Sequence, residues 1–142
     1  MVRSFVFALA MAAIMIITGC TNVASKEYSI SISCDDFGRQ NNISRDISVG
    51  NGDKILINLC SNRTTGFSWN EKAQISNPQV IEQISYKWVA PADTGKVGVA
   101  GEEQWVFMAV KQGTGNISMQ YGRPWAGGEK AAWTFTLHVN VK

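Results

Sequence analysis

Residues 133–141 read Trp-Thr-Phe-Thr-Leu-His-Val-Asn-Val, five apolar side chains separated one by one by polar ones. Successive side chains of an extended chain point to opposite faces. This spacing therefore puts Trp133, Phe135, Leu137, Val139 and Val141 on one face and Thr134, Thr136, His138 and Asn140 on the other, as in a half-buried strand. The same period recurs where Tyr28, Ile30, Ile32 and Cys34 alternate with Ser29, Ser31 and Ser33. Helical periodicity is almost absent. Strands are expected over 28–34, 43–49, 54–60, 67–71, 80–89, 103–111, 116–121 and 131–141. Between them fall the turn formers Gly50-Asn51-Gly52-Asp53, Asn77-Pro78, Pro91-Ala92-Asp93, Gly113-Thr114-Gly115 and Gly127-Gly128. The expected fold class is all-β, an immunoglobulin-like antiparallel β-sandwich of seven to eight strands.

That architecture has a consequence for the loops. If the strands from 54–60 onward reverse direction one after another, three connections emerge at one end: 61–66 (SNRTTG), 90–102 (APADTGKVGVAGE) and 122–131 (GRPWAGGEKA). The connections at the other end, 70–79 and 112–115, are plainly polar. The unusual residues are thus concentrated at one pole.

The first nineteen residues have the make-up of an export signal, with Arg3, an apolar run over residues 5–17, and the small residues Thr18 and Gly19 before Cys20. The run is shorter than the roughly 20 apolar residues a spanning helix needs. Ile17-Thr18-Gly19-Cys20 resembles the lipobox of bacterial lipoproteins. That implies a signal peptide over 1–19, lipidation of Cys20, a tether over 20–27 and a domain over 28–142. An ordinary signal cleaved nearby, with Cys20 incidental, is the alternative. Acyl chains on one residue hold a protein durably at a membrane surface. Thr21 is not the Asp that retains enterobacterial lipoproteins at the inner membrane, so the expected location in the cell envelope is the outer membrane, facing the periplasm.

Of thirteen Lys and Arg, one is Arg3, and the rest nearly balance eleven Asp and Glu. Nucleic-acid-binding domains show a basic patch or stripe, so no nucleic-acid partner is expected, and membrane contact runs through the lipid alone. A monomer is expected. An oxidising compartment would allow a disulfide between Cys34 and Cys60. Against it, Cys34 is in phase with Ile30 and Ile32, whereas Cys60 is out of phase with Ile55, Ile57 and Leu59, so a bulge or strand end must re-aim one of the two.

Catalysis and metal binding find no support in the residue inventory. His138, the single histidine, lies on the polar face of the last strand, away from the three-loop pole, where no nucleophile could pair with it. Two cysteines and one histidine at these spacings make no zinc set. Asp35 and Asp36 are adjacent and read as a turn. No catalytic residue, metal or cofactor is expected. Among the tryptophans, Trp69, Trp88, Trp105 and Trp133 are each in phase with other apolar residues and read as core. Trp125 is different. Set between Pro124 and Gly127-Gly128 and next to Arg123, it has the composition of an interface hot spot, or it folds back over the end of the sandwich as a plug.

Three stretches at this pole carry a resemblance: Asn62-Arg63-Thr64-Thr65-Gly66-Phe67, Val97-Gly98-Val99-Ala100-Gly101 and Arg123-Pro124-Trp125. In that order they resemble the chagasin-like inhibitors of papain-family cysteine peptidases, whose signature is an N-P-T-T-G-F loop, a G-x-G-G loop and an R-P-W loop. The resemblance implies an immunoglobulin-like sandwich with three loops forming a wedge across a peptidase cleft. It places Thr64, Thr65 and Gly66 against the catalytic Cys-His pair, with Phe67 bracing them. Val97, Gly98, Val99, Ala100 and Gly101 fall along the non-primed side, and Arg123, Pro124 and Trp125 on the primed side. Inhibition would be reversible and non-covalent. The alternative reading is an immunoglobulin-like adhesion or carbohydrate-binding lipoprotein that uses Trp125 as a stacking platform. Two departures stand out. Arg63 replaces the usual proline, which should loosen the first loop and set a cation at its shoulder. Ala100 replaces a glycine, which is costly if that position needs positive φ.

Overall fold

The computed structural model describes residues 24–92 and 95–142. The signal peptide expected over 1–19 and the lipidation expected at Cys20 lie outside the described residues. The described strands are β1 (Glu27–Ile32), β2 (Asn42–Val49), β3 (Lys54–Ser61), β4 (Ser68–Trp69), β5 (Gln74–Ile75), β6 (Ile81–Val89), β7 (Gly101–Ala109), β8 (Gly113–Gly122) and β9 (Trp133–Val141). They form two sheets, one ordered β1-β3-β7-β6 and the other β2-β9-β8-β4, with β5 also pairing β8. This is the immunoglobulin-like layout of two facing sheets with the N-terminal segment shared between them.

Alternation accounts for the core. Phe135, Leu137, Val139 and Val141 of β9 are buried, as are Ile117, Met119 and Tyr121 of β8, and they face Ile55, Ile57 and Leu59 of β3 and Trp105 and Phe107 of β7. Each such side chain contributes about 1.5–3 kcal/mol when taken from water. Pairing is antiparallel from β3 onward. Both N-terminal strands pair in parallel, β1 with β3 and β2 with β9, so each sheet is mixed. Two-residue β4 and β5 replace the single strand expected over 67–71, and the strand count exceeds the expected seven to eight.

The crossing between sheets is made by α1 (Cys34–Arg39), a short helix where the alternation of 28–34 led to an expectation of strand followed by a turn. Its cause is local. Ser33 Oγ accepts the Asp36 N–H at 3.2 Å, and the Asp36 carboxylate accepts from Ser33 N–H at 3.0 Å and Ser33 Oγ at 2.6 Å, a reciprocal capping box. These hydrogen bonds hold the Asp36 carboxyl below its ordinary pKa. Phe37, fully buried, stacks on Trp133 at 4.9 Å and leans on Trp69 at 5.1 Å. The helix also resolves the phase conflict between the cysteines. It ends β1 before Cys34 and turns that residue toward Cys60, to which it is disulfide-bonded with Cα atoms 5.2 Å apart.

β6 carries a second irregularity. Its register against β7 shifts between Gln83 and Ser85, which leaves Ile84 exposed. Trp88 is half-buried rather than core, set against Gly101 and beneath the Arg63 guanidinium.

Candidate functional site

β3, β6 and β8 end, and β4, β7 and β9 begin, at the same pole: Ser61 pairs Gly101, Val89 pairs Glu102, Gly122 pairs Ser68 and Tyr121 pairs Trp133. The connections 62–67 and 123–132, and the described parts of the one after β6, 90–92 and 95–100, therefore converge there. The N-terminal end of β1 lies at the opposite pole, where Glu27 pairs Lys54.

The first loop folds as a 3-10 turn over Arg63–Thr65, closed by Gly66 in the left-handed region at φ 80° and ψ 0°. Two adjacent β-branched residues favour extended backbone. Asn62 overrides it. Its Oδ1 accepts from Thr64 N–H at 3.3 Å and Thr64 Oγ1 at 2.6 Å, and its carbonyl accepts from Thr65 Oγ1 at 2.6 Å. Both threonine hydroxyls are thus bonded within the loop, while Thr64 and Thr65 themselves stay exposed.

Cross-links join this loop to the other two. Asn62 Nδ2 donates to the Gly98 carbonyl at 3.0 Å, bridging to the second loop. Asn62 N–H donates to Tyr121 Oη at 2.9 Å. Tyr121 stacks on Phe67 at 5.4 Å and on Trp133 at 4.7 Å, and the Arg123 guanidinium covers Phe67 at 4.4 Å. Phe37, Trp133, Tyr121, Phe67 and Arg123 thus form one continuous stack from helix α1 to the loop pole.

Trp125 occupies a position between the two alternatives its sequence context left open. It is 51% exposed, yet its ring lies so close to Gly66 that a Cβ there would sit 2.6 Å from its Cη2. The bare face of Gly66 admits the indole of the third loop. Lys130 Nζ donates to the Trp125 carbonyl at 2.9 Å and also to that of Arg123, and Gly128 N–H donates to the Trp125 carbonyl at 3.1 Å, which fixes the loop on its inner side. Pro124 is exposed.

In the second loop Val97 is fully exposed. Gly98 takes φ 81°, whereas Ala100 is not among the positive-φ residues, so the alanine departure carries no backbone strain. Gly101 is required for a different reason, since a side chain there would run into the Val89 carbonyl and the Trp88 ring.

Arg63 departs most from expectation. The cation expected at the loop's shoulder is there, 37% exposed, but it is anchored, forming an ion pair at 3.3 Å with Glu103, which is fully buried. The same carboxylate accepts from Ser61 Oγ at 2.7 Å, Trp69 N–H at 3.2 Å and Tyr86 Oη at 2.7 Å. Arg63 also donates to Tyr86 Oη and lies over the Trp88 ring at 4.9 Å. Burial disfavours the Arg63 cation, but the Glu103 hydrogen bond and charge more than offset this and raise its pKa. Burial, reinforced by Glu103, raises the Tyr86 pKa. Sequence reasoning missed Glu103, although its phase with Trp105 and Phe107 marks it as inward-facing.

His138 is exposed and bonded to Asn116 Oδ1 at 2.9 Å, away from the loops. Among the described residues no group of three His, Cys, Asp or Glu is arranged to hold a metal.

Residues 48–139 match the profile of the chagasin family peptidase inhibitors, I42. Chagasin from Trypanosoma cruzi is 30% identical over 97 residues, covering 67% of this chain and 87% of chagasin. Among solved structures, the cysteine protease inhibitor EhICP2 from Entamoeba histolytica superposes with a TM-score of 0.64 at 20% identity, over 83% of this chain and 97% of that one. PbICP-C, solved in complex with falcipain-2, superposes with a TM-score of 0.54 at 18% identity, over 83% and 98%.

Proposed function

Because this chain belongs to the chagasin family of peptidase inhibitors, we propose that it inhibits papain-family cysteine peptidases by filling their active-site cleft reversibly with the loops 62–67, 96–101 and 123–128. It acts as a binding protein and not as an enzyme. The observation that carries this reading is the cross-linked pole, with Val97 and Trp125 presented outward from loops tied to one another through Asn62 and Gly98 and through Gly66 and Trp125. PbICP-C, which shares the fold, is held in complex with falcipain-2, and this supports a peptidase as partner.

In physical terms, Thr64, Thr65 and Gly66 face the catalytic thiolate as an unreactive plug. Acyl transfer needs the attacked carbonyl aligned at roughly 3–3.5 Å, and a turn held by Asn62 cannot relax into that geometry. Val97 to Gly101 lie on the non-primed side, with Arg123, Pro124 and Trp125 on the primed side. Loops ordered before binding lose little entropy on association, so an interface of about 1,600 Å² supports nanomolar affinity. A monomer suffices, since one protomer carries all three loops.

Export, lipidation of Cys20 and attachment to the outer membrane on the periplasmic side belong to the same proposal, and the make-up of residues 1–21 supports them. A tether entering at Glu27, paired with Lys54 at the pole away from the loops, leaves the inhibitory end pointing away from the membrane.

Steady-state inhibition of papain and a cathepsin tests the function. Nanomolar, dilution-reversible inhibition is expected, and both enzymes remaining fully active at micromolar protein would refute it.

A further inference from the structure

The family's first loop carries a proline where this chain has Arg63, and a proline restricts the unbound loop by fixing φ. An arginine cannot do so through its own backbone. Yet Arg63 is anchored by three groups from elements outside the loop: Glu103 on β7, Tyr86 on β6 and the Trp88 ring on β6. Glu103 in turn bonds Ser61 and the Trp69 N–H, the residues that flank the loop on either side. A fully buried carboxylate without partners would be severely penalised. Here the available oxygens are met by Ser61, Trp69, Tyr86 and Arg63, so withdrawing Arg63 removes the cation paired with Glu103.

We propose that Arg63 is a positioning residue, a side-chain strut that locks the Thr64-Thr65-Gly66 turn onto the buried Glu103 and so replaces by ion pairing the rigidity a proline would give. The proposal rests on the inhibitory reading only for its functional consequence; the strut itself is a property of the unbound protein. It also fixes a division of labour at this pole, in which Trp125 and Val97 are presented to the partner while the Arg63 guanidinium, on a side chain 37% exposed, is held against Glu103.

The test is made on the full chain with Arg63→Ala, Arg63→Lys, Glu103→Gln and Tyr86→Phe. Amide hydrogen exchange, resolved by NMR in the free protein, reads the strut. The Thr65 and Gly66 N–H groups, which donate to the Asn62 and Arg63 carbonyls at 3.2 and 3.1 Å, should exchange on the order of tenfold faster in Arg63→Ala and Glu103→Gln, a size common for coupled neighbours. Core amides such as those of Ile117 and Leu137 should be unchanged, and Arg63→Lys should recover part of the protection. Papain inhibition reads the consequence. The constants for Arg63→Ala and Glu103→Gln should rise by similar factors, and the double variant should add little to either. Because Glu103 is buried and cannot touch a peptidase, its effect separates positioning from direct contact. Should Glu103→Gln unfold, Tyr86→Phe reports on the same cluster through the same two readouts. Unchanged Thr65 and Gly66 exchange in Arg63→Ala overturns the strut even if papain is inhibited. Faster exchange supports it even if papain is untouched, in which case the inhibitory reading is what fails.

Discussion

Replacing Gly66 by alanine probes the contact between the first and third loops, and its size can be worked from the structure. At φ 80° an alanine carries a backbone penalty of about 1–2 kcal/mol. Its Cβ would also stand 2.6 Å from Trp125 Cη2 and 3.2 Å from Cζ3, against a preferred carbon separation of about 3.5–4 Å. The indole is half-exposed and yields by swinging outward, so the fold loses little more than the backbone term. Binding loses its aromatic anchor as well. Hot-spot truncations begin at about 2 kcal/mol, so the inhibition constant of Gly66→Ala against papain should rise by about 30-fold or more. Trp125→Ala alone should raise it at least tenfold while leaving thermal stability nearly intact. In a double-mutant cycle, Gly66→Ala should cost much less on the Trp125→Ala background, because the clash has gone and only backbone strain remains. Equal factors on both backgrounds, or a Gly66→Ala protein as tight as the parent, would refute the reasoning.

Three further outcomes are expected. The disulfide closes a separation of 26 residues, so Cys34→Ser with Cys60→Ser should reduce unfolding free energy in urea by about 3–4 kcal/mol in the chain-entropy picture. The Asp53 carboxylate accepts the N–H groups of Lys26 at 2.8 Å and Gly50 at 2.7 Å, and these bonds hold its pKa below the ordinary 3.8. A depressed carboxylate pKa gives a contribution that is complete above about pH 4 and lost as pH falls through the folded value, so Asp53→Asn should flatten the acid limb of a stability–pH profile. Finally, full-length chain expressed with its own leader should float with vesicles while Cys20→Ala stays soluble. The two should inhibit papain equally, since the tether enters at the pole away from the loops.

Much of the fold was legible because half-buried strands repeat every two residues, as at Trp133–Val141 and Lys54–Ser61. The meeting of three loops at one pole followed from strand reversal, which needs no side-chain detail. What escaped reading was local chemistry overriding period. The Ser33 and Asp36 capping box interrupts an alternation that runs through Cys34, the Asn62 cap turns a threonine pair into a 3-10 turn, and the register shift at Gln83 and Ser85 brings Ile84 to the surface. The partner of Arg63 was hidden for another reason. Glu103 lies forty residues away on a different strand, and only the pairing of β3 with β7, which sets Ser61 opposite Gly101, brings the two together. Likewise, besides its positive φ, glycine at 66 answers to the Trp125 ring, a contact no spacing rule encodes.

The central claim is that one pole of the sandwich, and nothing else, fills the peptidase cleft. Hydrogen-exchange footprinting of this chain alone and saturated with papain tests it most directly. Protection confined to 62–67, 96–101 and 123–128, with no change at the far-pole turn 50–53, is the result predicted. Protection on a sheet face or at that far turn, with the three loops exchanging as in the free protein, would contradict it.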